Sequence, residues 1–186
     1  VLLTPAEIST FTSITGTPTQ LQIDSVVRNI NLITNNYFVS DLCIASLADF
    51  SGGSGGTITI GSHWEDFGFM NGDEVYISNS HRNDGYKTVS TVTTSVMTLV
   101  TTSTAIAELS GRTIYFSVVQ WPEGLKQIAA QMVAFDVDIR PNQDANVKSI
   151  TLGPWSETRE TGSDQTSNYP QSMVNALSVF KLASIR

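Results

Sequence analysis

The sequence predicts an α+β protein: a small helical domain interrupted by an inserted antiparallel β-barrel-like domain, with a β-hairpin towards the C-terminus. Three observations lead there. The stretch Trp121–Ile139 repeats apolar side chains at helical spacing. Two Thr-Pro pairs near the N-terminus each open a capped helix. Between these helical regions, from Thr57 to Val119, short runs of Val, Ile, Thr and Tyr alternate with turn residues. Residues 1–50 and 120–186 are therefore assigned to the helical domain and 51–119 to the insert.

Thr4-Pro5-Ala6-Glu7 reads as a helix start: Thr as N-cap, Pro at the first helical position, and Glu placed to close a capping box. That helix is expected to end near Gly16. Thr17-Pro18-Thr19-Gln20 repeats the signal with Gln as the reciprocal residue, and Leu21, Ile23, Val26, Val27, Ile30 and Ile33 continue as an amphipathic stripe to about Asn36. Two capped helices in succession make an αα-hairpin. Tyr37–Phe50, with Leu42, Ile44 and Leu47, reads as a helix end or an irregular crossover.

Ser51–Gly56, SGGSGG, has the composition of a flexible domain boundary or loop tip. Five short strands are expected after it, near residues 58–60, 75–77, 89–92, 97–100 and 114–118. Asn71-Gly72 and Asp84-Gly85 supply positive-φ turn positions between them. The spine helix follows. Pro122 suits its first turn, and Leu125, Ile128, Ala129, Met132 and Val133 form one buried face, widened by Phe135 and Ile139. At roughly 1.5 Å per residue it spans about 27 Å. Asp136 and Asp138 are two apart on this helix and so do not share a face, whereas Asp136 and Arg140 make an i, i+4 pair. Val147–Thr161 alternates as a hairpin around Gly153-Pro154, residues 162–168 form a polar linker, and Tyr169-Pro170 opens a last helix with Met173, Val174, Leu177 and Phe180 on its face.

The net charge of −7 argues against a protein that grips nucleic acid, though an acidic wall leaves DNA free to slide past. No stretch approaches the roughly 18 apolar residues of a membrane span, and the opening VLLTPAE lacks the pattern of a signal peptide. Cys43 is the single cysteine, so no disulfide or thiolate cage is expected within the chain, and a small buried apolar role is expected for it. The glycine-rich stretch lacks a following Gly-Lys-Ser/Thr and a helix, so it does not read as a phosphate loop. His63 and His81 lie beside turn residues and match no metal-ligand spacing, no Gly-x-Ser-x-Gly elbow is present, and a catalytic constellation is not expected. No cofactor is expected either. Trp155, at the tip of the predicted hairpin, is a large apolar group poorly buried within one chain and so a candidate for a partner surface.

Taken in order, Trp121-Pro122-Glu123-Gly124-Leu125-Lys126, then Val147-Lys148-Ser149-Ile150-Thr151-Leu152-Gly153, then Tyr169-Pro170 opening the last helix, resemble the head–tail connector (adaptor) proteins of tailed bacteriophages. Phe67-Gly68-Phe69, Gly72-Asp73-Glu74-Val75 and Asn83-Asp84-Gly85-Tyr86 look like the β insert of some phage adaptors. The resemblance covers nearly the whole chain. It implies a helical connector domain and a structural, non-enzymatic virion protein of the neck, present in the host cytoplasm during assembly. It implies a ring of identical subunits, dodecameric in the family, beneath the portal protein and above a stopper or tail-completion protein. DNA would pass through the lumen without sequence-specific binding. On that reading the hairpin and last helix carry the candidate partner contacts: Trp155, Glu157, Arg159, Tyr169, Phe180, Lys181 and Arg186. The competing reading is a carbohydrate- or host-surface-binding virion module, with Tyr76, Tyr86 and Trp64 lining a groove on the insert.

Overall fold

The computed structural model describes residues 2–109, 111–140, 149–152, 155–158, 165–166 and 169–182. The chain is mixed α+β, with an antiparallel sheet and, among the described residues, four α-helices. It divides into two compact units. One is Tyr37–Gln120; the other joins Leu2–Asn36 to Trp121–Arg186.

The β unit begins earlier than the sequence reading placed it. Val39–Phe50 is a twelve-residue strand, β1, rather than a helix end or crossover, so the unit boundary falls at Asn36/Tyr37 and not at Phe50/Ser51. Its period is two: Ile44, Ala48 and Phe50 are buried, while Cys43, Ala45, Leu47 and Asp49 point out. Cys43 is consequently exposed, the opposite of its expected burial. With β1 run Gly53–Ser54 (β2), Thr57–Ile60 (β3), Glu74–Ser78 (β4), Gly85–Val92 (β5), Val96–Leu99 (β6), Thr104–Ala105 (β7) and Thr113–Val119 (β8). Six of them pair in the order β1-β3-β6-β5-β4-β8, and β8 returns to β1, closing a barrel. Closure leaves no unpaired edge along these strands.

SGGSGG does not divide domains; it is an excursion within the barrel. Gly53 and Ser54 pair with Ala105 and Thr104. Gly56 passes so close that a Cβ there would lie 2.5 Å from the Ser51 carbonyl oxygen and 2.9 Å from Ala105 Cβ. The barrel interior is filled by alternate residues of the strands, among them Ile58, Val75, Ile77, Met97, Ile114 and Phe116. Trp64 plugs it from the loop after β3. Its ring meets Phe69 and Phe116 edge-on, with centroids 5.2 and 5.1 Å away. Gly72 and Gly85 take φ of +90° and +118°, as the turn signals required.

In the helical unit, α1 (Pro5–Phe11) and α2 (Gln20–Thr34) both pack on α3 (Glu123–Ala134). At α1 the Glu7 carboxylate accepts the Thr4 N–H at 2.8 Å and its hydroxyl at 2.9 Å, so its pKa is held below the usual value, chiefly by that backbone donor. The second box lies two residues later than expected. Thr19 is the N-cap; it accepts from Gln22 N–H and donates its own N–H to Gln22 Oε1 at 2.8 Å. α2 buries Ile23, Val26, Val27 and Ile30, while Leu21 is left exposed.

The spine is shorter as an α-helix than expected. Pro122 is its N-cap, and past Ala134 the backbone widens into a π-helical turn, Phe135–Ile139. Leu125, Ala129, Met132, Val133 and Phe135 are buried; Ile139 is exposed. Ser149–Leu152 (β9) and Trp155–Thr158 (β10) form an antiparallel hairpin, and Gln165–Thr166 (β11) pairs with Tyr169–Pro170 (β12). The last helix is α4 (Gln171–Ala176), tightening into a 3₁₀ turn at Leu177–Phe180, with Leu177 fully buried.

Candidate functional site

Of the seven residues expected to face partners, Tyr169, Phe180 and Lys181 have described side chains. Tyr169 is a correction: it is fully buried inside the helical unit and cannot offer its ring to another protein in this fold. Its hydroxyl donates to Asp136 Oδ2 at 2.7 Å and accepts from Asn29 Nδ2 at 3.3 Å. The Asp136–Arg140 pair expected from the i, i+4 spacing is present, with Nη2 to Oδ1 at 2.9 Å. The same guanidinium lies 4.9 Å above the Tyr169 ring and 5.4 Å from the Phe135 ring. Burial pushes the Tyr169 pKa up to about 12, helped by its hydrogen bond to Asp136. Burial likewise raises Asp136, opposed by Tyr169 and Arg140. This cluster is a junction that holds the segment around β12 against α2 and the π-helical turn. The second carboxylate of that turn faces elsewhere: Asp138 accepts the N–H groups of Thr15 and Gly16 at 2.7 and 2.9 Å, which lower its pKa.

Past this junction the chain returns to the end of α2. Asn36 Nδ2 donates to the Phe180 carbonyl at 3.1 Å, and Leu182 N–H donates to the Thr34 carbonyl at 2.9 Å. Phe180 is half-buried and Lys181 exposed. Around them Val179 (78% exposed), Leu182 (53%) and, on α2, Leu32 (78%) leave apolar side chains in solvent. Trp155 and Glu157 stand in β10 opposite Leu152 and Ile150 of β9. Arg159 and Arg186 lie outside the described residues.

On the barrel, Tyr37 stacks on Tyr76 (4.6 Å between centroids) and Tyr76 meets Tyr86 at 5.0 Å. Burial raises the Tyr76 pKa to about 12, with Tyr37 and Asp84 adding to the shift. Trp64 is not part of this strip, because it is wholly enclosed in the barrel core. The two histidines lie in different loops. His63 Nδ1 is 3.2 Å from Asp66 and exposed, while His81 stands in the β4–β5 loop. Among the described residues no three His, Cys, Asp or Glu side chains converge as metal ligands.

Sequence reasoning overlooked Glu108, and it placed Asn83 in a turn without identifying its partners. Glu108 Oε1 accepts the His81 N–H at 2.8 Å, and Oε2 accepts the Asn83 side-chain amide at 2.9 Å and the Arg82 N–H at 3.3 Å. Asn83 is buried and pairs both ways with the Ile106 backbone, at 2.9 and 2.8 Å. Together they clamp the β4–β5 loop to the segment before β8, leaving His81 and Arg82 exposed. Asn83-Asp84-Gly85 signals the turn, but nothing local marks a carboxylate some twenty-five residues away as its partner.

No family model matches the chain, and no curated protein is similar to it. No helix among the described residues is long and apolar enough to cross a membrane.

Proposed function

We propose that this chain is a structural subunit of the neck of a tailed-phage particle, an adaptor that forms a ring between portal and stopper or tail-completion proteins and lines the DNA conduit. The observation that carries the reading is the construction of the helical unit. Two segments separated by the whole barrel close on α3, and a hairpin and a Tyr-Pro-led helix follow it in the order the resemblance implies. The exposed Val179, Leu182 and Leu32 suit a surface that is covered in an assembly, and Lys181 supplies a charge at its rim. Net acidity suits a conduit wall that DNA slides past. The test is the mass of the native chain, alone and mixed with its portal. A ring of defined subunit number, alone or on the portal, is expected; a monomer under both conditions refutes the proposal.

The stacked tyrosines favour a second reading, a glycan- or host-surface-binding virion module. It predicts that the intact chain binds a glycan and that Tyr37→Ala or Tyr86→Ala abolishes the binding.

A further inference from the structure

Burial is shared unequally along the helical unit. α1 and α2 both pack on α3, and these three helices bury Ile8, Ile23, Val26, Ile30, Leu125 and Met132. α2 and α3 carry six buried residues each.

The chain from Tyr169 to Leu182 buries far less. Tyr169 and Leu177 are its two buried side chains. α4 buries none of its residues, and Val179 and Leu182 stand in solvent. β11 pairs with β12 and lies against α4, so it belongs with this stretch rather than with the three-helix core.

The stretch is laid along both long helices. At one end the Tyr169 hydroxyl is held by Asp136, just past α3, and by Asn29 within α2. At the other, Phe180 reaches the first turn of α3, where a Cβ on Gly124 would meet its Cζ at 3.6 Å, an ordinary van der Waals distance. The Phe180 carbonyl and the Leu182 N–H are tied to Asn36 and Thr34 at the end of α2. The chain here therefore runs antiparallel to α3 and in the direction of α2. Leu177 is the buried peg between these two fastenings.

We propose that Tyr169–Leu182 is a strap that opens as one unit while α1, α2 and α3 stay packed, uncovering the face of α2 and α3 on which Tyr169 and Leu177 lie. Segments with few buried apolar contacts open at lower free energy than the core they rest on, and do so in contiguous cooperative units. Opening gives up two buried side chains and the hydrogen bonds at the two ends, whereas unfolding α2 or α3 gives up six buried residues in either helix. It strands no charge: Asp136 and Arg140, 2.9 Å apart in the closed form, remain partners four residues apart on one turn and gain water. Such a strap works as a lid over an apolar face whether the chain assembles into a ring or stays alone.

Native-state hydrogen exchange of the intact chain, followed by NMR through low urea concentrations, tests this. The probes are the Leu177 and Lys181 amides, bonded within the strap, and the Leu182 amide, bonded across to Thr34. They are expected to exchange together, about a hundredfold faster than the slowest amides of α2 and α3. Their rates should depend little on urea, because little surface is exposed on opening. Tyr169→Phe and Leu177→Ala are each expected to speed the strap amides about tenfold or more. Ile8→Ala, a change in α1 away from the strap's fastenings, is expected to speed exchange in α2 and α3 about tenfold and leave the strap rates unchanged. Strap amides that share the rate and urea dependence of α2 and α3 overturn the proposal, and this wild-type comparison decides even where a variant fails to fold. Equal acceleration of both sets in Ile8→Ala overturns it as well. So do strap amides that exchange independently of one another and are unmoved by Leu177→Ala.

Discussion

Tyr169→Phe removes a single oxygen from inside the helical unit and leaves the ring in place beneath Arg140. The lost oxygen donates to Asp136 at 2.7 Å and accepts from Asn29 at 3.3 Å. A hydrogen bond to an ionised partner contributes about 1.5–3 kcal/mol, and a long neutral one about 0.5 kcal/mol. Asp136 keeps Arg140 at 2.9 Å, so its carboxylate is not stranded, which places the loss near the lower end, about 2 kcal/mol. Urea denaturation of the intact chain is expected to show a lower midpoint at unchanged slope. The pH dependence carries a second check. The Asp136 pKa is raised in the fold, so its contribution to stability is present below the unfolded carboxylate value and is lost as pH rises through the folded one. Tyr169 moderates that shift by hydrogen-bonding the charged form. The Tyr169→Phe penalty is therefore largest at neutral pH, where Asp136 is ionised, and shrinks in acid. A loss under about 0.5 kcal/mol at neutral pH, or an equal loss in an Asp136→Asn background, refutes this account of the junction, because coupled residues must show non-additive effects.

Trp64→Ala empties the centre of the barrel and is expected to cost about 3–5 kcal/mol, read as a lower melting temperature; a cost below about 1 kcal/mol contradicts its role as plug. Gly16→Ala forces a Cβ to within 2.4 Å of Val137 Cγ1; the turn after α1 must move off the π-helical turn, and hydrogen exchange at the Thr15 and Gly16 amides is expected to quicken. Asp138→Asn tests the same turn by pH. The wild-type carboxylate is depressed by those two amides, so its stabilisation is present above the unfolded carboxylate value and lost as pH falls through the folded one. The urea midpoint of the variant is expected to fall less on acidification than that of the wild type.

The helical half was legible because its signals are local. Thr4 with Glu7, the stripe of α2 and the face of α3 each lie within a single helix, and the structure uses them nearly as read. β1 was not legible for the converse reason. Leu42, Ile44 and Leu47 mix spacings of two and three, and the inward row at residue 46 is a serine, so neither period stands out in the sequence. Only pairing with β8 on one side and β3 on the other fixes which residues face in. Cys43 went wrong with it, since a shift between the two faces reverses burial. Tyr169 was misplaced because it opens the last helix, which the resemblance assigns to partner contacts. Its burial depends on Asn29, Asp136 and Arg140, supplied from elements far away in the chain. The clamp at Glu108 is invisible for the same cause: two of its donors are backbone amides, which carry no side-chain identity to read, and the third, Asn83, lies twenty-five residues away.

The way the barrel is inserted explains how a helical unit can be assembled from such distant pieces. Val39 pairs with Val119, and Gln120 N–H donates to the Phe38 carbonyl at 2.8 Å, so the chain enters and leaves the barrel on adjacent strands. Paired residues on antiparallel strands are about 5 Å apart at their Cα atoms. A flexible loop of this length would have to lose closure entropy before α2 and α3 could pack, although that cost grows only slowly with length. A folded barrel with joined ends removes the problem, because once closed it behaves towards the helical unit as a short connection.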